Sequence, residues 1–222
     1  EELKILKQKL LQMGDMAQDM IRMSIAALKE RRESLTEDVF TAEEKVNRFE
    51  IEIEDEALVL MATRQPAARD LRLLTAILKI NNDLERIADQ AVNIAEIALY
   101  LIKEPELKPL IDIPLMAALA QKMVRNSLNA FVYHDPALAK EVCEKDDEVD
   151  CLNDQIFREL LTYMMGNPRS ITRAVDLILV SRNLERIADH ATNISEDVVF
   201  VEEGKNIKHH LQDELTDQTI GW

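Results

Sequence analysis

The sequence has little glycine and little proline, and it lacks long uncharged runs. Only 4 Gly and 6 Pro occur among 222 residues, whereas folds rich in strands need many turns built from these residues. The glycine-rich loops GxxxxGKS/T and GxGxxG, which bind nucleotide phosphates, are missing from the sequence. No uncharged run approaches the ~18 residues that a membrane-spanning helix requires. We therefore expect an all-α, soluble protein without a P-loop or Rossmann nucleotide site.

Acidic residues strongly outnumber basic residues in the chain. The chain has 27 Lys and Arg against 42 Asp and Glu, a net charge of -15 at pH 7, which repels polyphosphate and argues against nucleic acid as a partner. Hydrophobic residues still make up 47% of the chain, which is enough to form a core. Cys143 and Cys151 lie eight residues apart in a helical pattern, ~12 Å along a helix axis, which is too far for a disulfide. Two free thiols predict a cytoplasmic location.

Proline and capping signals divide the chain into six predicted helices. Asp135-Pro136 and Asn167-Pro168 each place a capping side chain directly before a proline that suits the first helical position. The predicted helices span residues 1–31, 35–64, 66–104, 114–133, 136–165 and 168–203.

The sequence contains an internal repeat. Residues 82–96 read NDLERIADQAVNIAE and residues 182–196 read RNLERIADHATNISE, with ten of the fifteen aligned positions identical. Each copy lies on the third predicted helix of its half. We predict two tandem three-helix bundles related by duplication, whereas a single six-helix bundle with a chance repeat is the alternative. The predicted divisions are a first repeat over 1–104, a linker over 105–113, a second repeat over 114–203 and a polar tail over 204–222.

Each predicted third helix carries an acidic stripe. At 100° per residue, the stripe in each half spans only 80° of the helix circumference. Its members are Glu85, Asp89, Asn93 and Glu96 in the first half, and Glu185, Asp189, Asn193 and Glu196 in the second. The same face is apolar before each stripe begins, over 71–78 and 171–178, and the opposite arc is apolar as well. We expect both helices to be central in their bundles, with the stripe facing another helix or a subunit; a solvated polar surface is the alternative.

The preceding helix of each half carries a matching stripe. Its members are Glu43, Asn47, Glu50 and Glu54 in the first half, and Asp146, Asp150 and Asn153 in the second. Carboxylates crowded between two helices must protonate or bind a cation, and carboxylates at i and i+4 on neighbouring helices form metal sites in helical bundles. Oxygen ligands alone favour Mg²⁺, Mn²⁺, Ca²⁺ or ferric iron.

Two other interpretations of the acidic stripes remain open at this point. The protein could be a helical scaffold whose stripes contact a basic partner without metal. It could also be a carboxylate-bridged metallo-oxidase, although the chain has no Glu-x-x-His motif of the kind that those proteins use.

At these residues the sequence resembles the PhoU family of phosphate-signalling regulators, over about residues 3–203. The family has two three-helix repeats, each with an ExxxD motif, and the matching segments here are Glu85-Arg-Ile-Ala-Asp89 and Glu185-Arg-Ile-Ala-Asp189. The segment RQPAARDLR, residues 64–72, is similar to the family's RQPxAxDLR segment. One departure is Asn47, which stands where the second half has Asp150, so we expect the first site to bind metal more weakly or to rely on Glu50.

The resemblance implies a non-enzymatic, cytoplasmic protein that acts at the inner face of the membrane. Such proteins negatively regulate the phosphate-starvation response and phosphate uptake. They connect the ATPase subunit of the phosphate ABC transporter to a sensor histidine kinase, and homodimers are common. Some members bind metal, notably iron, on the motif carboxylates. The predicted metal ligands here are Glu43, Asn47, Glu50, Glu85, Asp89, Asp146, Asp150, Glu185 and Asp189, with Asn93, Glu96, Asn193 and Glu196 as more distant candidates.

Overall fold

The computed structural model describes residues 2–64 and 66–204. Within those residues the chain forms seven α-helices and one 3₁₀ turn, and no β-strand. The helices are α1 (Glu2–Glu30), α2 (Ser34–Arg64), α3 (Ala68–Lys103), α4 (Asp112–Tyr133), α5 (Pro136–Glu144), α6 (Asp146–Gly166) and α7 (Ile171–Glu203), with the 3₁₀ turn at Pro168–Ser170. The all-α prediction is confirmed. The predicted polar tail, from residue 205 onwards, lies outside the described residues.

The capping residues that were predicted from the sequence occupy helix starts. Asp135 Oδ1 accepts hydrogen bonds from the backbone N–H groups of Ala137 and Leu138, both at 3.0 Å, and so caps α5. Asn167 Oδ1 accepts from the backbone N–H of Arg169 at 3.1 Å and caps the 3₁₀ turn. These bonds satisfy N–H groups that have no partner within the helix itself.

The prediction of one continuous helix over 136–165 is wrong, because the chain breaks at Lys145 into α5 and α6. Three consecutive carboxylates, Asp146, Asp147 and Glu148, form the first turn of α6. Negative charge is favourable at the N-terminus of a helix and unfavourable in a C-terminal turn. The acidic run therefore favours a new helix start over continuation of α5. The last predicted helix also starts later, since α7 begins at Ile171 after the 3₁₀ turn.

The helices of each half pack on one another, and the two halves share a core. Helices α1, α2 and α3 contact each other, and α4, α5, α6 and α7 form the second group. Between the halves, α3 packs along α7 and α1 packs on α4. The buried hydrophobic side chains form one continuous cluster that extends through both halves. The central position predicted for the third helices is confirmed, because α3 and α7 each contact three or more other helices.

Gly14 allows α1 to approach α4 closely. A Cβ atom at this position would lie 2.5 Å from Leu128 Cδ1 on α4. Both residues are buried, so the absent side chain is what permits this contact between the two halves.

The apolar faces that precede the acidic stripes are only partly core. Leu74 and Ala174 are buried as expected, but Leu71 and Ile171 are each 46% exposed. These two residues lie in the first turns of α3 and α7, where a helix end has fewer neighbours than its middle.

Both cysteines are free thiols, as predicted, and Cys151 is exposed. None of the described helices is long and apolar enough to cross a membrane.

Candidate functional site

The acidic stripes meet in two grooves between packed helices. The first acidic groove lies between α2 and α3, and its residues are Glu43, Asn47, Glu50, Glu85 and Asp89. The second acidic groove lies between α6 and α7, and its residues are Asp146, Asp150, Asn153, Glu185 and Asp189. In both grooves the stripe of one helix faces the stripe of the next, so the carboxylates affect each other's pKa values.

Crowding raises pKa values in the first acidic groove. Burial raises the pKa of Glu43, and the charges of Asp89 and Glu96 add to the rise. Burial also raises the pKa of Glu85, with a contribution from the Asp89 charge that Arg86 opposes. The guanidinium of Arg86 lies between the two motif carboxylates, with Nε 3.4 Å from Glu85 Oε2 and Nη1 3.4 Å from Asp89 Oδ2.

Burial and like charges raise pKa values in the second acidic groove as well. Burial, together with the charges of Asp189 and Asp150, raises the pKa of Asp146 from 3.8 to about 6. Burial and the Asp189 charge raise the pKa of Asp150. Partial desolvation raises the pKa of Asp189 as well, although His190 and Arg186 oppose the rise. At neutral pH the groove thus holds several carboxylates whose charges are poorly compensated.

Glu185 differs from its neighbours because it accepts a hydrogen bond. Asn153 Nδ2 donates to Glu185 Oε2 at 2.9 Å, and Ser181 Oγ donates to Asn153 Oδ1 at 2.8 Å. Burial and the charges of Asp150 and Asp189 raise the pKa of Glu185, while the bond from Asn153 lowers it.

The donor chemistry of the grooves suits a hard cation. Glu85 Oε2 and Asp146 Oδ1 are buried and accept no hydrogen bond from the residues that the structure describes. A bound cation would give these two oxygens a partner, and it would also reduce the repulsion between the carboxylates. However, within residues 2–64 and 66–204, no three His, Cys, Asp or Glu side chains converge into a metal-ligand set. The grooves therefore match a cation in charge and donor type, without a preassembled ligand cage, and metal binding by these residues stays a prediction.

The two asparagines among the distant ligand candidates have other contacts. Asn193 Nδ2 donates to Asp83 Oδ1 at 3.3 Å, and Asn93 Nδ2 donates to Asn183 Oδ1 at 3.4 Å. Both contacts cross from α3 to α7. Asn93 and Asn193 thus contribute to the contact between the halves.

Sequence reasoning missed the polar seam between α3 and α7. His190 Nδ1 lies 2.8 Å from Asp83 Oδ1, and Lys79 Nζ lies 2.9 Å from Asp197 Oδ1. The available signal was the difference between the two repeats, since Asp83 aligns with Asn183 and His190 aligns with Gln90. Two of the five positions that differ between the copies thus supply Asp83 and His190 to the contact between the halves.

Cys143 is another group near the second acidic groove. Burial, with the charges of Glu196 and Asp146 nearby, raises the pKa of its thiol to about 11. The thiol therefore stays protonated at neutral pH and is a poor nucleophile.

The comparisons with known proteins agree with the duplicated helical architecture. A family model described as "PhoU domain" matches residues 10–98 and again residues 113–198. The phosphate-specific transport system accessory protein PhoU homolog of Aquifex aeolicus is 40% identical, over 96% of this chain and 97% of that protein. The homolog of Pseudomonas putida is 38% identical, over 99% of this chain and 86% of that protein.

Two solved structures are similar in fold. The crystal structure of PhoU from Pseudomonas aeruginosa has a TM-score of 0.89 at 38% identity, covering 92% of this chain and 98% of that one. The phosphate transport system regulatory protein PhoU from Streptococcus pneumoniae has a TM-score of 0.84 at 26% identity, covering 92% and 97%.

Proposed function

This chain belongs to the PhoU family, and we propose that it is an accessory protein of a phosphate-specific transport system that negatively regulates phosphate uptake and the phosphate-starvation response. The observation that carries this proposal is the match of the PhoU domain to both halves, residues 10–98 and 113–198. Relatives named as accessory proteins of phosphate-specific transport align with this chain over 97% and 86% of their own length, which supports the proposal.

The proposed mode of action is that of a non-enzymatic adaptor in the cytoplasm. It would connect the ATPase subunit of the phosphate ABC transporter to a sensor histidine kinase, at the inner face of the membrane, and would act as a homodimer. The shared core supports this role, because α3 and α7 join the two halves mechanically. A change in one acidic groove can then reach the other half through packed side chains.

Deletion of the gene tests the regulatory part. In medium with high phosphate, the deletion strain should express a phosphate-starvation reporter that the parent strain represses, and the intact gene should restore repression. Unchanged reporter output in the deletion strain would contradict the proposal. Sedimentation velocity of the purified protein tests the homodimer, since a monomer at micromolar concentration would refute that part.

We further propose that the acidic grooves bind a metal ion through oxygen ligands, iron being favoured by the family and Mn²⁺, Mg²⁺ or Ca²⁺ by donor chemistry alone. The residues that would hold it are Glu43, Glu50, Glu85 and Asp89 in the first groove, and Asp146, Asp150, Glu185 and Asp189 in the second. The cation would supply positive charge where the carboxylates repel one another, and so hold α2 to α3 and α6 to α7. This proposal is supported by the raised pKa values of Glu85 and Asp146.

Metal analysis tests this part. Protein purified without chelator should contain bound metal, and EDTA should lower its melting temperature. The double variants Glu85→Gln/Asp89→Asn and Glu185→Gln/Asp189→Asn should each lose part of the metal. Metal-free protein whose melting is insensitive to EDTA would refute the cation proposal without affecting the regulatory one.

A second candidate is a scaffold whose acidic grooves contact a basic partner directly. It is favoured by the absence of a converged ligand set among the described residues. Under this alternative, Glu85→Gln/Asp89→Asn abolishes partner capture and leaves the metal content of the protein unchanged.

A further inference from the structure

Five positively charged side chains lie together at one end of the long helices. Lys103, Arg169 and Arg173 line a cavity of about 490 Å³. A smaller cavity of about 60 Å³ shares Arg173 with the first and is also lined by Lys29 and Arg31. These five residues form what we call the basic end. They come from the ends of α1 and α3 and from the segment that begins α7, so only the fold brings their charges together.

The positive charges of the basic end are poorly neutralised. Arg31 Nη2 donates to the backbone oxygen of Ile102 at 2.6 Å, and Arg173 Nη1 donates to the backbone oxygen of Pro105 at 2.8 Å. These bonds fix the two guanidinium groups in place without a carboxylate as partner. The other three cations form no ion pair with any carboxylate that the structure describes; they are Lys29, Lys103 and Arg169.

The local charge of the basic end has the opposite sign to that of the whole chain. Three carboxylates also line the two cavities, those of Glu104, Glu106 and Asp176. Five positive charges therefore face three negative ones, in a protein whose net charge is -15. A surface of this kind attracts anions to one place and leaves the remainder of the protein to repel them.

Cations at the opposite end of the helices are paired with carboxylates. Arg69 Nη2 lies 3.9 Å from Glu202 Oε2, and Lys140 Nζ lies 2.7 Å from Glu203 Oε1. Alignment of the two repeats places Glu203 at the position of Lys103. Contact with an anionic surface through the basic end would thus give the molecule a defined orientation.

Exposed apolar side chains accompany the cations of the basic end. Tyr100 lines the larger cavity and is 72% exposed. Ile171 and Val175 lie one turn apart at the start of α7 and are 46% and 41% exposed. A free phosphate ion gains nothing from such neighbours. At the surface of a bilayer, by contrast, tyrosine rings and aliphatic side chains enter the headgroup region while Lys and Arg contact lipid phosphates.

We propose that the basic end, together with Tyr100, Ile171 and Val175, docks on an anionic phospholipid surface. The inference rests on the proposed position of the protein at the inner face of the membrane. It goes further, because it makes lipid a direct partner and names the end of the protein that contacts it. The cytoplasmic leaflet supplies the negative surface potential that the cations of the basic end require.

Binding of the full-length protein to vesicles tests the proposal. Purified protein is sedimented with vesicles of equal parts phosphatidylglycerol and phosphatidylcholine, or of phosphatidylcholine alone. The wild type should bind only the first kind, and added NaCl should release it. Lys103→Glu/Arg169→Glu should weaken this binding at least about twentyfold. The matched control is Lys4→Glu/Lys45→Glu, which makes the same change of net charge at two exposed positions and should alter binding far less.

An uncharged variant separates lipid contact from general attraction of anions. Tyr100→Ser/Val175→Thr keeps every charge and should weaken vesicle binding by about fivefold. Unchanged binding of this variant would overturn lipid as the occupant. Release of the wild type by sodium phosphate, but not by NaCl of equal ionic strength, would identify free phosphate as the ligand and overturn it as well.

The remaining outcomes bear on this inference alone. Circular dichroism of each variant should show an unchanged helical spectrum, because all the substituted side chains are exposed. A wild-type protein that does not bind the anionic vesicles would overturn the inference, as would equal losses in Lys103→Glu/Arg169→Glu and its control. Neither result touches the regulatory proposal, which the reporter strain tests separately.

Discussion

Replacement of Asp146 by asparagine should stabilise the metal-free protein at neutral pH. The carboxylate of Asp146 is crowded by Asp189 and Asp150 in the second acidic groove, and burial with these charges raises its pKa from 3.8 to about 6. A raised carboxyl pKa means that the folded protein binds this proton more tightly than the unfolded chain does. The free energy of unfolding therefore falls as the pH rises from about 4 to about 6, and the repulsion persists above that range.

The size of the effect follows from the pKa change. Each pKa unit corresponds to about 1.4 kcal/mol, so a fully shielded Asp146 would destabilise the fold by about 3 kcal/mol at pH 7.5. The groove is open to solvent, and screening reduces this value. We expect Asp146→Asn to raise the free energy of unfolding by about 1 to 2 kcal/mol at pH 7.5. The difference between variant and wild type should shrink as the pH falls from about 6 to about 4, because protonation of Asp146 in the folded protein removes the repulsion.

The assay is urea denaturation followed by far-UV circular dichroism in EDTA, at several pH values between 4 and 7.5. The matched control is Asp147→Asn, since Asp146 and Asp147 both lie in the first turn of α6. Each substitution removes one favourable charge from that helix start, at a cost of about 0.3 to 1 kcal/mol. Asp147→Asn should relieve much less repulsion in the groove, because the Asp147 charge contributes less to the raised pKa of Asp146 than burial and the charges of Asp189 and Asp150 do. A variant at Asp146 that is no more stable than the one at Asp147 at pH 7.5 would refute the reasoning.

Three further substitutions have expected outcomes. Asp83→Ala leaves His190 without its acceptor across the seam between α3 and α7, and should lower the free energy of unfolding by roughly 1 to 3 kcal/mol in urea titrations. Asp135→Ala removes the cap of α5 and should cost about 1 kcal/mol in the same assay, with faster amide exchange confined to α5. Glu185→Gln/Asp189→Asn removes two charges from the second acidic groove, so it should raise the melting temperature in EDTA while reducing bound metal.

For each of these three predictions, a specific result would contradict the expected outcome. Asp83→Asn, which keeps an acceptor oxygen, should be milder than Asp83→Ala, and equal losses would show that the seam contact does not stabilise the fold. Uniformly faster amide exchange in Asp135→Ala would mean that the cap acts on global rather than local stability. A lower melting temperature of Glu185→Gln/Asp189→Asn in EDTA would show that attraction to Arg186 and Arg182 outweighs the like-charge repulsion.

Some features of the candidate site could be predicted from the sequence, and others could not. The stripes of Glu85 and Asp89, and of Glu185 and Asp189, followed from helical periodicity, which depends only on residue spacing. The partnership of Asn153 with Ser181 was not readable, because neither residue is charged and the two lie on different helices.

The sequence by itself determined the helical class, the internal repeat and the faces on which the carboxylates lie. Glycine scarcity and a period of 3.6 residues are properties of composition and residue spacing, so they can be read without knowledge of long-range contacts. Only the tertiary structure decided the contact between Asp83 and His190 in the polar seam. The same holds for the hydrogen bonds that join Ser181, Asn153 and Glu185 in the second acidic groove. Those outcomes depend on how the packed helices are rotated and offset against one another, and no short-range pattern encodes either quantity.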